Sequence, residues 1–174
     1  MRDMLSGNTK APIDITVKWD GAPAVFAGED PSDGQFFVAK KGIFAKTPKV
    51  YKSHADIDAD TSGDLSKKLK LAFDNLKNLG IKDVIQGDFM FDQSDLKKEN
   101  INGIGHITFH PNTILYAVPL NSRLAKEIQR AKVGIIWHTS YSGKSFENMR
   151  AEFGRDIVGK LKRSKDVWMD DATL

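Results

Sequence analysis

Near the start of the chain, a lysine, an aspartate and a glycine lie within four positions of one another, at Lys18, Asp20 and Gly21. Residues two apart on a strand share a face, so the amine and the carboxylate can act at one place. A lysine amine becomes a nucleophile once a neighbouring cation or partial burial favours its neutral form. The aspartate can orient that amine or help to place a metal ion, and the glycine lets a ligand approach the backbone. Nucleophilic chemistry at Lys18 is one interpretation, and a charged strand end before a glycine turn is the other.

The overall composition predicts one soluble domain. The chain has 174 residues, of which 40% are hydrophobic, enough to build a buried core. Its formal net charge of +3 permits a polyanionic partner without requiring one. The sequence contains no cysteine, which excludes disulfides, thiolate nucleophiles and cysteine-based zinc sites. No apolar segment has the length of a membrane span, so we expect no membrane association and a cytoplasmic location.

Hydrophobic periodicity predicts the elements that must position these residues. Alternation predicts a strand over residues 13–19, which carries Lys18 on its polar face. Two further strands, over 24–27 and 35–40, are joined by short turns, as in an antiparallel meander. The stretch 43–63 contains proline and many small and acidic residues, and it predicts a long loop.

The rest of the chain mixes predicted helices and strands. The predicted helices are 64–79, 122–132 and 145–162, and the predicted strands are 81–91, 106–109, 113–118 and 133–139. Hairpin-like connections recur among them, which favours an α+β fold over a doubly wound parallel sheet. We expect residues 1–12 to form an irregular lead-in and 13–174 to form one domain, which can be a piece of a longer chain.

The string Lys18-Trp19-Asp20-Gly21 resembles the K-x-D-G motif of the covalent nucleotidyltransferases, which include DNA ligases, RNA ligases and mRNA capping enzymes. The resemblance implies an adenylation-domain fold with mainly antiparallel sheets and flanking helices around a nucleotide cleft. It implies that Lys18 attacks the α-phosphate of ATP to form a lysine–AMP intermediate, with Mg²⁺ neutralising the phosphates. It also implies a nicked or single-stranded nucleic acid as the partner.

Two later segments extend the resemblance. Residues 86–91, QGDFMF, are similar to the third motif of the family, which implies that Asp88 contacts the ribose or the metal ion. Residues 109–118, FHPNTILYAV, are similar to the following strand, in which an aromatic ring stacks on adenine. Tyr116 is the better candidate for that ring, and Phe109 is the alternative.

The basic residues that the resemblance places near the phosphates come from two parts of the chain. Lys40 and Lys41 end a predicted strand at a position where the family often has a basic residue, although a solvated basic turn is an equal alternative. Lys160 and Lys162 have the K-x-K form of the fifth motif. They fall in a predicted helix, whereas the lysines of the family lie on a strand.

The agreement weakens towards the C-terminus. The fourth motif of the family is E-G-[IV]-[IV]-[KR], but Val133 stands at the position of the glutamate and Trp137 at that of the basic residue. No oligonucleotide-binding (OB) barrel fits after residue 162, so a partner or an additional domain is expected to replace it. The chain is also similar to tailed-phage proteins that carry K-W-D-G-A-P-A, which implies the host cytoplasm.

Two further motifs and the histidines offer weaker alternatives. Residues 142–145, SGKS, resemble part of a phosphate-binding P-loop, but His138 replaces its first glycine. Residues 58–63 resemble half of a calcium-binding EF-hand loop, but Leu69 replaces its final glutamate. The four histidines are scattered over different predicted elements, which favours structural roles.

The alternatives to a ligase-type enzyme are a catalytically degenerate nucleotide- or nucleic-acid-binding phage protein and a noncatalytic assembly domain.

Overall fold

Strands and helices are mixed in this chain, and all but one of the strand pairings among the described residues are antiparallel, as the sequence predicts. The computed structural model describes residues 18–154 and 156–172. Within them the strands are β1 Ala24–Glu29, β2 Phe36–Ala39, β3 Val84–Asp92, β4 Lys97–Ile101, β5 Ile104–Phe109, β6 Tyr116–Pro119, β7 Val133–Ser142, β8 Arg150–Phe153 and β9 Val167–Asp171. The α-helices there are α1 His54–Asp60, α2 Gly63–Leu76 and α3 Arg123–Arg130.

The larger sheet has six strands and places β3 at its centre. Its order is β2-β1-β3-β7-β8, and β9 pairs with β7 in the parallel direction. Ala24 on β1 lies opposite Asp88 on β3, and Asp88 lies opposite Ile136 on β7. The central position of β3 means that the predicted third-motif strand is held from both sides.

The smaller sheet packs with the larger one around a second apolar core. It has the order β4-β5-β6, with all pairings antiparallel. Its buried residues meet Met90, Phe91 and Ile136 of the large sheet and Ala125 and Ile128 of α3. A separate core, built around Leu69, Leu76 and the buried Trp137, joins α1 and α2 to the large sheet. Burial of these apolar faces stabilises both layers.

The structure differs from two of the predicted elements. The predicted loop over 43–63 contains α1, which begins after Ser53, whose hydroxyl accepts a hydrogen bond from the Asp56 amide at 3.1 Å. That helix forms because the cap satisfies a free amide and Ile57 is buried.

The predicted helix over 145–162 is wrong. Two short 3₁₀ turns, Phe146–Asn148 and Val158–Lys160, flank strand β8 there. The strand forms because its backbone pairs with Thr139 to Ser142 of β7, a long-range contact that helical spacing cannot reveal. Strands β4 and β9 were also not predicted, and the predicted strand over 13–19 lies mostly outside the described residues.

The longest helix among the described residues is α2, with 14 residues. None of the helices there combines the length and the apolar character needed to cross a bilayer.

Candidate functional site

The segment that carries the K-x-D-G motif is fixed to the second core by its tryptophan. Trp19 is only 7% exposed, and its ring lies 5.0 Å from that of Tyr116 and 5.1 Å from that of Trp168. Its indole N–H also donates to the Asp170 carboxylate at 2.9 Å. The neighbouring Lys18 is exposed. An exposed amine therefore stands next to a rigidly packed residue.

Asp20 is held by the loop between β5 and β6. Its backbone amide donates to the Tyr116 hydroxyl at 2.7 Å. Its carboxylate accepts hydrogen bonds from the Thr113 hydroxyl at 3.1 Å and from the Asn112 amide at 3.3 Å. These contacts fix the position of the Asp20 carboxylate relative to the small sheet.

Gly21 brings this segment into direct contact with β3. A Cβ atom at this position would lie 2.5 Å from the Phe89 carbonyl oxygen and 3.1 Å from Cβ of Asp88. The backbone then continues β-like pairing, because the Ala22 amide donates to the Phe89 carbonyl at 3.0 Å. The glycine is required here for close approach to β3, whereas the sequence predicted that it lets a ligand approach the backbone.

A cleft of about 540 Å³ opens where these segments meet. Four of the residues predicted from the sequence lie around it: Gly21, Lys40, Lys41 and Asp88. The remaining lining residues are Ala22, Pro23, Ala24, Leu65 and Gln86. The volume falls in the range of small-molecule sites, and the lining combines two amines with one carboxylate.

Asp88 is the acidic residue of the cleft, and its pKa is shifted. Burial raises the pKa of its carboxyl, and the nearby negative charge of Asp20 raises it further. His138 and Lys41 oppose this by lowering the pKa of Asp88. The Nε2 atom of His138 lies 3.7 Å from a carboxylate oxygen of Asp88. A carboxyl group with a raised pKa in a cleft is a common property of functional sites.

The two cleft lysines have different surroundings. Nζ of Lys40 lies 3.9 Å from the Asp60 carboxylate, which also accepts a hydrogen bond from Tyr51 and pairs with Lys49. Lys41 is exposed, and no carboxylate of the described residues lies within ion-pair distance of it. Lys41 is therefore the better placed of the two to pair with an anionic ligand.

Sequence reasoning missed two residues of this region. His138 reaches Asp88 because β7 pairs with β3, and Gln86 accepts a hydrogen bond from the Tyr141 hydroxyl at 2.6 Å. Gln86 lay within the quoted third-motif segment but received no role. No local pattern marks His138, since its proximity depends on strand pairing across 50 residues.

The two aromatic residues predicted to stack on adenine lie elsewhere. Phe109 and Tyr116 are each 2% exposed, and their rings stack on each other at 5.4 Å inside the second core. The structure therefore places them under the K-x-D-G segment rather than in the cleft. Both rings are covered on their faces by neighbours such as Trp19 and Phe91, which leaves no room for a base.

The C-terminal candidates are also separate from the cleft. Lys160 lines a different cavity, of about 530 Å³, beside Ile157 and Gly80. The Lys162 amide donates to the Leu79 carbonyl at 2.9 Å. Val133 and Trp137 are fully buried in the core that joins α1 and α2 to the large sheet, so the fourth-motif match is a core strand.

The donors available for a metal ion are few. Within residues 18–154 and 156–172, no group of three or more histidine or acidic side chains is arranged to hold one. Magnesium, however, is commonly held by one or two carboxylates together with substrate phosphates. Asp88 and Asp20 fit that requirement in number and in chemistry.

The chain belongs to a family of unknown function, DUF6267, whose model matches residues 1–174. No curated protein and no solved structure matches the chain significantly.

Proposed function

We propose that this protein is an ATP-dependent adenylyltransferase of the polynucleotide ligase type, built on a nucleotidyltransferase-like fold, with Lys18 as the nucleophile. The observation that supports the proposal best is the cleft beside the K-x-D-G segment. Gly21, Lys40, Lys41 and Asp88 come from three distant parts of the sequence, and all four line it. Motif matches scattered by chance would have no reason to share one cavity.

The charges of the cleft suit a nucleoside triphosphate. Lys41 and Lys40 offer positive charge to the phosphates, and Asp88 offers an acceptor for ribose hydroxyls or a ligand for a cation. Because Asp88 is partly buried, water competes less for its carboxylate, and this strengthens any hydrogen bond that the carboxylate accepts from a ligand. Gly21 lines the cleft and allows its segment to lie directly against β3, which carries Asp88.

The reaction at Lys18 requires a neutral amine. Its Nζ attacks the α-phosphorus of ATP, forming a P–N bond while the bond from the α-phosphorus to the bridging oxygen of the β-phosphate breaks. Pyrophosphate leaves with that electron pair, and the proton of the amine passes to solvent. The exposed position of Lys18 leaves the amine open to a nucleotide.

Magnesium would be held by Asp88, with Asp20 as a second carboxylate, and it would neutralise the phosphate charge. His138 lies 3.7 Å from Asp88, and its electrostatic influence lowers the pKa of that carboxyl, which favours the ionised form that would hold the cation.

A second candidate is a nucleotide-binding protein on the same scaffold without catalysis. It is favoured by Val133, an apolar core residue at the position where the family carries a glutamate. Such a protein would bind ATP in the cleft and form no covalent product.

Labelled nucleotides distinguish these candidates. We expect protein incubated with Mg²⁺ and ATP labelled at the α-phosphate to retain the label after denaturation, and protein incubated with γ-labelled ATP to retain none. Retention of the γ-label would indicate phosphorylation and would contradict adenylylation. Retention of neither label, with ATP still raising the melting temperature, would support the second candidate.

A further inference from the structure

A basic groove lies between α3 and the start of β9. It has a volume of about 530 Å³ and is formed by α3, by the turn before β9 and by the start of β9. Arg123 and Arg130 come from α3, and Arg163 and Lys165 come from the turn. Glu127 is the one acidic side chain that lines it. This groove therefore carries as much net positive charge as the entire chain, which is +3.

The cations of the groove are mostly available to a ligand. Glu127 approaches only Arg123, at 3.8 Å, and that arginine side chain is 93% exposed. For Arg130, Arg163 and Lys165, no carboxylate of residues 18–154 or 156–172 lies within ion-pair distance. By contrast, Lys52 is already paired with two carboxylates, those of Asp30 at 3.0 Å and Asp33 at 2.6 Å.

The groove is structurally connected to the K-x-D-G segment. Trp168 lines the groove, and its ring packs edge-on against Trp19, the residue next to Lys18. Two positions further along β9, the Asp170 carboxylate holds the indole N–H of Trp19. A polyanion in the groove would thus contact the strand that anchors Trp19, the residue next to the proposed nucleophile.

We propose that this groove binds the phosphate backbone of a single-stranded nucleic acid. The inference rests on the proposed function for its biological meaning, since a ligase-type enzyme must hold a polynucleotide near the adenylylated lysine. Arginine is well suited to the task because its planar guanidinium pairs with two phosphate oxygens at once. The groove presents charge without an aromatic stacking surface, because Trp168 is 92% buried by its neighbours and only 8% exposed. We therefore expect the groove to bind single-stranded nucleic acid with little sequence preference.

The test is fluorescence anisotropy with a labelled single-stranded DNA oligonucleotide over a range of salt concentrations. The test variant is Arg130→Gln combined with Arg163→Gln, and the matched control is Lys97→Gln combined with Lys98→Gln on exposed strand β4. Both remove two positive charges. We expect the test variant to lose roughly tenfold in affinity and to lower the salt slope by about 1.4, at about 0.7 per lost phosphate contact. The control is expected to stay within about twofold of the unchanged chain.

Three outcomes would overturn the proposal that this groove binds single-stranded nucleic acid. They are an equal loss in both variants, no loss in either, and binding of the unchanged chain to anionic phospholipid vesicles but not to the oligonucleotide. Melting curves of both variants check that the fold is retained. Adenylylation is measured separately. If the unchanged chain forms no adduct but binds the oligonucleotide through the groove, the proposed enzyme activity is refuted and the binding groove is supported. If the chain forms the adduct but its oligonucleotide binding does not depend on the groove, only the groove proposal is refuted.

Discussion

His138 Nε2 lies 3.7 Å from the carboxylate of Asp88, across two paired strands at the centre of the large sheet. Burial nevertheless raises the pKa of Asp88, so the folded protein binds this proton more tightly than the unfolded chain does. The stabilisation associated with the protonated form is present at low pH and is lost as the pH rises through the raised pKa. At neutral pH the ionised Asp88 therefore lowers the free energy of unfolding.

Asp88→Asn should accordingly stabilise the protein at pH 7, by about 0.5–2 kcal/mol, and abolish nucleotide binding. The gain should shrink as the pH falls through the raised pKa of Asp88 and should be small below the ordinary range of aspartate, because the native carboxyl is then protonated. Chemical denaturation at pH 7 and at pH 3.5 measures it. Asp83→Asn, at an exposed position, is the control. A less stable Asp88→Asn variant at pH 7 would contradict the account.

Lys68 forms the buried ionic network of the fold. It is 5% exposed, and its Nζ lies 2.9 Å from Asp64, 3.1 Å from Asp92 and 2.8 Å from Asp95. Burial opposes its charge, but the hydrogen bonds to these three carboxylates raise its pKa overall. Replacing it by methionine leaves the carboxylates facing one another without their cation.

Lys68→Met should therefore cost about 3–5 kcal/mol of unfolding free energy at pH 7. The deficit should be smaller at acidic pH, because the hydrogen bonds from Ser94 and the charge of Lys68 outweigh burial and lower the pKa of Asp92. That stabilisation exists above the ordinary aspartate pKa and is lost as the pH falls through the lowered one. Urea denaturation measures both values. Lys70→Met, at a partly exposed position on the same helix where the amine pairs with Asp58 at 2.6 Å, should cost less than about 1 kcal/mol, and an equal loss would refute the network.

Gly21→Ala tests the close approach between the K-x-D-G segment and β3. The added methyl group would meet the Phe89 carbonyl oxygen at 2.5 Å and Sδ of Met90 at 2.8 Å, and the backbone oxygen cannot move without breaking the pairing of β3. We expect a loss of about 1–3 kcal/mol, measured as a lower melting temperature. Gly154→Ala meets only side-chain carbons of Ile157, at 3.1 and 3.4 Å, and should cost less. Equal losses would show that Gly21 is not specially constrained.

The strands that carry the candidate site could be predicted from the sequence because local signals mark them. Gly21 and Asp88 each stand next to a run of apolar residues whose alternation predicts a strand, and β1, β3 and α2 formed close to their predicted bounds. The antiparallel pairing of β1 with β2 followed from a short polar turn.

What could not be predicted depends on long-range packing. His138 is brought to Asp88 by the pairing of β7 with β3, and β8 forms only because β7 offers it an edge. Tyr116 illustrates the other difficulty: alternation shows that a ring is on the apolar face of a strand, but a core and a ligand cleft are equally apolar.

Tyr116→Phe tests the corrected position of that ring. The hydroxyl that accepts the Asp20 amide at 2.7 Å is lost, while the buried ring stays in the core. We expect a loss of about 1 kcal/mol in unfolding free energy and an ATP affinity within about twofold of the unchanged chain. Thermal-shift titration with ATP reports both quantities. A large loss of ATP affinity without a change in stability would place Tyr116 in the nucleotide site after all.

The chemistry assigned to Lys18 is tested most directly by intact-mass spectrometry after incubation with ATP and Mg²⁺. The account predicts that the unchanged chain gains the mass of one adenylyl group, that peptide mapping places it on Lys18, and that Lys18→Ala gains nothing while Lys144→Ala still does. An adduct that persists in Lys18→Ala, or a chain that binds ATP and Mg²⁺ but never gains mass, would contradict it.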